Sequence, residues 1–186
     1  MALGYMVRPV RGDEWRAVKA LRLEALSDEA APMAFLQTHE VAAAWPDGFW
    51  RDRVRSSSVE AGEGARARQF VAVADDGSWV GSALALVEQP GDVAFEGAVT
   101  DRPGGHVVAV YVAPAHRGAG VLAQLLDAAA GWFRERGLPR AHLFVHVDNA
   151  RARRAYEKSG FRATGTRITT VAGNELELER ELSGEG

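Results

Sequence analysis

The chain has 186 residues, 47 % of them hydrophobic, and a formal net charge of −3. That supports one well-buried domain and is short for two, so a single domain over residues 1–186 is expected. Near-neutral charge excludes a basic nucleic-acid footprint, and no run of about 18 apolar residues marks a membrane span. Cysteine is absent, which excludes disulfides, thiolate metal sites and a cysteine acyl-enzyme.

The opening MALGYMVRPV lacks a charged segment followed by an apolar core, so no secretion signal is expected and the cytoplasm is the expected compartment. Met6–Val10 predicts a short strand. Asp13 then caps a helical pattern whose apolar members are Trp15, Val18, Leu21, Leu23 and Leu26, broken by Ala31–Pro32. A second helix is expected over about residues 38–55, with Val41, Trp45, Phe49 and Trp50 as packing residues and Pro46 as a break or a new start. Gln69–Ala74 and Ser78–Val87 read as strands joined by a turn at Asp75–Gly77. The Gly-, Pro- and acid-containing stretch from Glu88 to Gly105 is a long connection. His106–Val112 predicts a buried strand, and Gly118 to Arg136 an amphipathic helix closed by Gly137 and Pro139. Ala141–Val147 is the next strand. Asn149 caps a short helix to Lys158, closed by Gly160, and two final strands flank Ala172–Asn174. The sum is one domain of helices on a mixed sheet.

Gly118 and Gly120 stand between a strand and a helix, where a backbone without Cβ atoms admits a phosphate. Gly118 to Ala123 satisfies the dinucleotide pattern G-x-G-x-x-A, but too little chain follows Asp148 for the further βαβ units such a fold requires. A nucleoside-triphosphate loop fails for want of the G-K-[ST] end; Lys19 and Lys158 are the only lysines. A pyrophosphate held by N–H groups at a helix start, or a plain tight turn, remains.

A second unusual stretch weighs against the plain turn. VYVAPAHRGAGV followed by NARARRAYEKSGF resembles the GNAT superfamily of acetyl-CoA-dependent N-acetyltransferases: strand, R-G-x-G and helix, then N-x-x-A-x-x-x-Y-E-K-x-G-F. The two motifs cover about residues 107–161, and LRLEAL with Phe35 is similar to a helical segment of bacterial members. The resemblance implies an α/β (α+β) fold, a mixed, mostly antiparallel sheet of about 6–7 strands flanked by about four helices. It implies that acetyl-CoA is the cosubstrate and that Val110, Tyr111 and Val112 offer backbone groups to its pantetheine arm. Arg117, Gly118, Ala119, Gly120 and Val121 would wrap the pyrophosphate, Asn149 would bond the pantetheine, and Tyr156 would protonate the departing thiolate. Ala115 and Leu122 depart from the family loop; Leu122 either packs in the core or crowds the ligand. The resemblance also admits a homodimer.

The thioester is already activated, so direct attack by an amine needs a proton acceptor, an oxyanion donor and an acid. Strict alternation would place His106, Val108, Val110 and Val112 on one strand face, making His106 the candidate base. Glu88, Asp92 and Glu96 are rivals from the long loop, where acids would also attract a cationic amine. His142 and His146 read as structural, without the ligand spacing of a metal site, so no metal is expected. The acceptor is an amine on a small molecule or peptide, with specificity expected in the first helices, the Glu88–Gly105 loop and the hairpin near Val171–Glu175. A module that binds acyl-CoA without turnover is the alternative.

Overall fold

The structure is a computed structural model and describes residues 4–93, 97 and 99–182. In chain order the elements are β1 (Tyr5–Pro9), α1 (Trp15–Leu26), α2 (Ala31–Ala34), α3 (His39–Ala43), α4 (Asp47–Ser57), β2 (Ala67–Ala74), β3 (Trp79–Glu88), β4 (Gly104–Val112), α5 (Val121–Glu135), β5 (Arg140–His146), α6 (Ala150–Lys158), β6 (Arg162–Thr170) and β7 (Gly173–Glu181). The strands form one sheet in the order β1-β2-β3-β4-β5-β7-β6. Every neighbouring pair is antiparallel except β4 and β5.

Each face of the sheet carries its own core. On one side α5 buries Leu125, Leu126, Ala129 and Phe133, the stripe its 3.6-residue period predicts, against Phe70, Val107 and Leu143. On the other, α1 and α4 bring Trp15, Val18, Leu21, Trp50 and Val54 onto Val71 and Tyr111. The expected helix over residues 38–55 is two helices. Thr38 caps α3 by accepting from the Val41 N–H at 3.3 Å, and Pro46 precedes the first turn of α4. Pro lacks the N–H a helix interior needs, so the chain starts afresh there. Ala31–Pro32 does not simply end a helix; it opens the short α2, with proline in the first turn where its missing N–H costs nothing.

The sheet is split at its centre. The strands β4 and β5 pair only at Gly105↔Ala141 and His106↔His142. Both then run on, to Val112 and His146, without pairing to each other. A bulge on the β3 side accompanies the divergence: the β3–β4 register shifts between Ser82 and Leu84, and Ala109 adopts φ +52°, a left-handed conformation rare for a residue with a Cβ.

Candidate active site

The bulge corrects the sequence reading of β4. Gly105 and Val107 face α5, where a Cβ on Gly105 would lie 2.3 Å from the Phe133 ring. Beyond Ala109 the parity reverses: Val110 and Val112 pack on the α5-side core while Tyr111 is buried on the opposite side. His106 therefore does not share a face with Val110 and Val112. An extra residue in one strand flips every side chain after it.

The gap between the diverging strands is a cleft of about 60 Å³. Val108, Ala109 and Val110 form one wall, Phe144 and His146 the other, and Asn149, Tyr156 and Glu175 close it, with Met33 and Ala34 of α2 at its rim. The splayed edge of β4 leaves backbone groups facing this gap with no strand to receive them. Tyr156 sits on α6, 9 % exposed, and burial pushes its hydroxyl well above the usual phenol range. It thus keeps its proton at neutral pH, the form a proton donor must have. Asn149 is half committed. Its Oδ1 accepts from the Ala152 N–H at 3.2 Å as the cap of α6, leaving the side-chain amide nitrogen to reach a ligand.

Gly118 and Gly120 take φ +80° and +83°, and Gly120 immediately precedes α5. Glycine is needed here for the left-handed backbone. A Cβ at either position would meet nothing within 4 Å, so the space above the turn is open. The exposed Gly118–Gly120 backbone leads into Val121, which is buried as the first residue of α5. The N–H groups of that first turn have no carbonyl below them. Arg117 turns its side chain away: Nε donates to the Val112 carbonyl at 2.8 Å and Nη2 to Asp28 at 2.5 Å, strapping the segment before α2 to the end of β4. Leu122 packs against the α5-side core, so it does not crowd the turn.

His106 is 3 % exposed and does not line the cleft. Its Nδ1 lies 3.0 Å from Glu88 Oε1, and its ring stacks on His142 with centroids 4.4 Å apart. His142 Nε2 is 2.8 Å from Glu88 Oε2, and its Nδ1 is 3.0 Å from Glu177 Oε1. Both imidazole nitrogens of His142 face carboxylates, the arrangement of an imidazolium. Burial alone would lower its pKa, but Glu177 and Glu88 outweigh that and raise it. Burial works against Glu88 too, yet the bonds from His106 and His142 hold its carboxyl far below the usual range. Glu177 is lowered to about 2, first by His142. Arg140 completes the cluster, 3.1 Å from Glu179 and 3.6 Å from Glu177. Glu88, His106 and His142 offer ligand atoms within 4.8 Å of one another, a set that could hold a metal ion and that corrects the reading of His142 as lacking a nearby carboxylate. In the structure those atoms bond each other and tie β3, β4 and β5 together, with Glu177 adding β7 through His142.

Of the other loop acids, Asp92 pairs with Arg66 and accepts from the Gln89 N–H at 2.7 Å, while Glu96 lies outside the described residues. The carboxylate that does reach the cleft, Glu175, was not singled out as a base from sequence. A signal existed. On β7, Glu175, Glu177 and Glu179 recur every second residue, and the alternate positions of β5 carry Arg140, His142 and His146, with Phe144 between the last two. The register His146↔Glu175 and His142↔Glu179 puts the two rows side by side.

Residues 24–161 match the acetyltransferase (GNAT) family. The chain belongs to that family. It is 36 % identical over 104 residues to a mycothiol acetyltransferase of Beutenbergia cavernae, covering 53 % of this chain and 35 % of that protein. It is 35 % identical over 121 residues to a streptothricin acetyltransferase of Streptomyces lavendulae, covering 65 % of this chain and 58 % of that one. The matches thus span about a third and somewhat over half of these relatives' lengths. A PaiA N-acetyltransferase from Thermoplasma acidophilum, solved in complex with coenzyme A, superposes with a TM-score of 0.69 at 14 % identity over 96 % of this chain and 99 % of that one, a likeness of fold. The expected mixed sheet with flanking helices is the observed one. Among the described residues no helix is long and apolar enough to cross a membrane.

Proposed function

We propose that this protein moves the acetyl group of acetyl-CoA directly onto a primary amine of a small molecule or peptide. The observation that carries the reading is the split between β4 and β5, which sets Tyr156 and Glu175 around an unpaired strand edge, at the far end of which lies the open double-glycine turn. A thioester arm suits such an edge, because an extended chain with amide groups can bond a strand that lacks its neighbour. The first turn of α5 and the Gly118–Gly120 backbone supply N–H donors and the positive end of a helix dipole for a pyrophosphate. The side-chain nitrogen of Asn149 serves the pantetheine arm.

The residues divide the chemistry between them. Glu175 takes a proton from the substrate ammonium, directly or through one water, and so frees the amine lone pair to attack. Backbone N–H groups of β4 beside the bulge meet the carbonyl oxygen as charge develops on it. Tyr156 gives its proton to the leaving sulfur. No enzyme nucleophile is required, in keeping with a chain that has no cysteine. The role first expected of His106 passes to Glu175 because His106 is buried in the cluster with Glu88 and His142.

Calorimetric titration with acetyl-CoA, with NADH in a parallel cell, tests the reading, followed by thiol release across a panel of primary amines. Binding of acetyl-CoA and acetyl-dependent thiol release are expected. Binding of NADH alone would return the glycine pair to a dinucleotide role. Binding of acetyl-CoA without turnover on any amine would favour the non-catalytic module.

A further inference from the structure

On the α1/α4 side of the sheet a second, smaller cavity of about 20 Å³ lies among Arg22, Arg53, Gln69, Ser82, Ala109 and Tyr111. Ala109 lines both this cavity and the cleft that holds Tyr156, so the two meet at the β4 bulge. Its charge is unusual. Two guanidinium side chains line it, and none of its lining residues is an aspartate or glutamate.

Neither arginine is paired with a carboxylate among the described residues. Arg22 donates to the neutral Gln37 Oε1 at 3.2 Å and lies over the Phe35 ring, 4.4 Å from its centroid. Burial, then the neighbouring Arg53, depresses the Arg22 pKa to about 10, and burial depresses that of Arg53. Trp50, also in the wall, is fully buried, and its indole N–H has no acceptor among the described residues. The Tyr111 hydroxyl is already committed to Glu24, to which it donates at 3.0 Å. A buried donor such as the Trp50 indole normally finds an acceptor, and two half-buried guanidinium groups side by side repel each other unless an anion lies with them. Arg22 and Arg53 line the cavity without a carboxylate partner among the described residues, and the Trp50 indole N–H beside them has no acceptor there, which suits a site whose anion arrives with the ligand.

We propose that this cavity receives a carboxylate of the acceptor, so that the substrate is a small amine carrying a carboxylate, of the amino-acid class. The proposal rests on the acetyl-transfer reading for the amine end, since Ala109 marks the point where a molecule anchored here would meet the cleft. Arg22 and Arg53 clamp the carboxylate, and Ser82 and Gln69 offer further polar groups beside it. The acids of the long loop do not argue for a cationic partner. Glu88 is buried against His106 and His142, and Asp92 is neutralised by Arg66.

The test is thermal stabilisation of the whole chain by L-amino acids and their carboxamides at fixed ionic strength, with coenzyme A present and absent. At least one free acid is expected to raise Tm saturably, with its carboxamide about tenfold or more weaker. The Arg22→Gln and Arg53→Gln variants should lose that response, and Arg53→Gln should show a higher Tm without ligand, because it removes the like-charge repulsion on Arg22; a purely structural arginine would give a lower one. No stabilisation by any acid, or equal stabilisation by acid and amide, overturns the proposal, and the comparison on the unaltered protein stands even if a variant does not fold. Stabilisation by aminomethylphosphonate but by no carboxylate also overturns it. Acetyl-CoA titration of the same sample reads the transfer reading separately, because that ligand binds the other cleft.

Discussion

His106 and His142 lie face to face, 4.4 Å between ring centroids and 25° from parallel, with the two oxygens of Glu88 reaching one ring each. Three strands meet in that contact: Glu88 ends β3, and the two histidines are the last paired residues before β4 and β5 diverge. The cluster thus fixes the apex of the cleft.

Its titration sets a pH window for stability. His142 has a raised pKa, so its contribution is complete below about 6.5 and is lost as pH rises through its higher folded value. Glu88 and Glu177 have lowered values, so theirs are complete above 4.5 and are lost as pH falls, for Glu177 towards about 2. Urea midpoints should therefore be highest between roughly pH 4.5 and 6.5. In His142→Phe the decline on the alkaline side should disappear. A midpoint that stays flat from pH 6 to 9 in the unaltered protein would contradict the imidazolium.

Tyr156→Phe removes the hydroxyl while keeping the ring that meets Phe161 at 6.3 Å. Turnover should fall about a hundredfold, the usual scale for a general acid, with acetyl-CoA affinity unchanged. Equal turnover in the variant would leave Tyr156 as a packing residue only.

Glu175→Gln should lower kcat by a similar factor of about 10² at neutral pH. The loss should shrink as pH rises and the free amine becomes abundant without help. A pH-independent loss would indicate a packing defect in place of a missing base; initial rates from pH 6 to 10 distinguish them.

Gly120→Val tests the turn. The left-handed backbone at φ +83° costs a residue with a Cβ roughly 1–2 kcal/mol, and nothing in the protein obstructs the new side chain. Acetyl-CoA affinity should fall by more than that strain explains, because the added atoms occupy the open space above the N–H groups. A lower Tm with unchanged affinity would make the turn purely structural.

Gly105→Ala should destabilise the fold without touching the ligand cleft. Its Cβ would sit 2.3 Å from the Phe133 ring, so β4 and α5 must part. Overpacking of this kind costs about 1–3 kcal/mol, visible as a lower urea midpoint.

The sequence by itself determined the succession of strands, the amphipathic α5 and the two motifs around Gly118–Gly120 and Tyr156, though not the division of residues 31–57 into three helices. Those signals are local: hydrophobic period, caps, and glycines at left-handed positions are written into neighbouring residues. Tertiary structure decided which side chains share the cleft. One bulge at Ala109 reversed the parity of β4 and separated His106 from the residues it was expected to accompany. The pairing of β7 with β5 brought Glu175 to the cleft and Glu177 to His142, and the packing of α1 and α4 brought Arg22 and Arg53 together beside Ala109. Register, bulge position and helix docking are settled by contacts between residues far apart in the chain, and no local pattern encodes them.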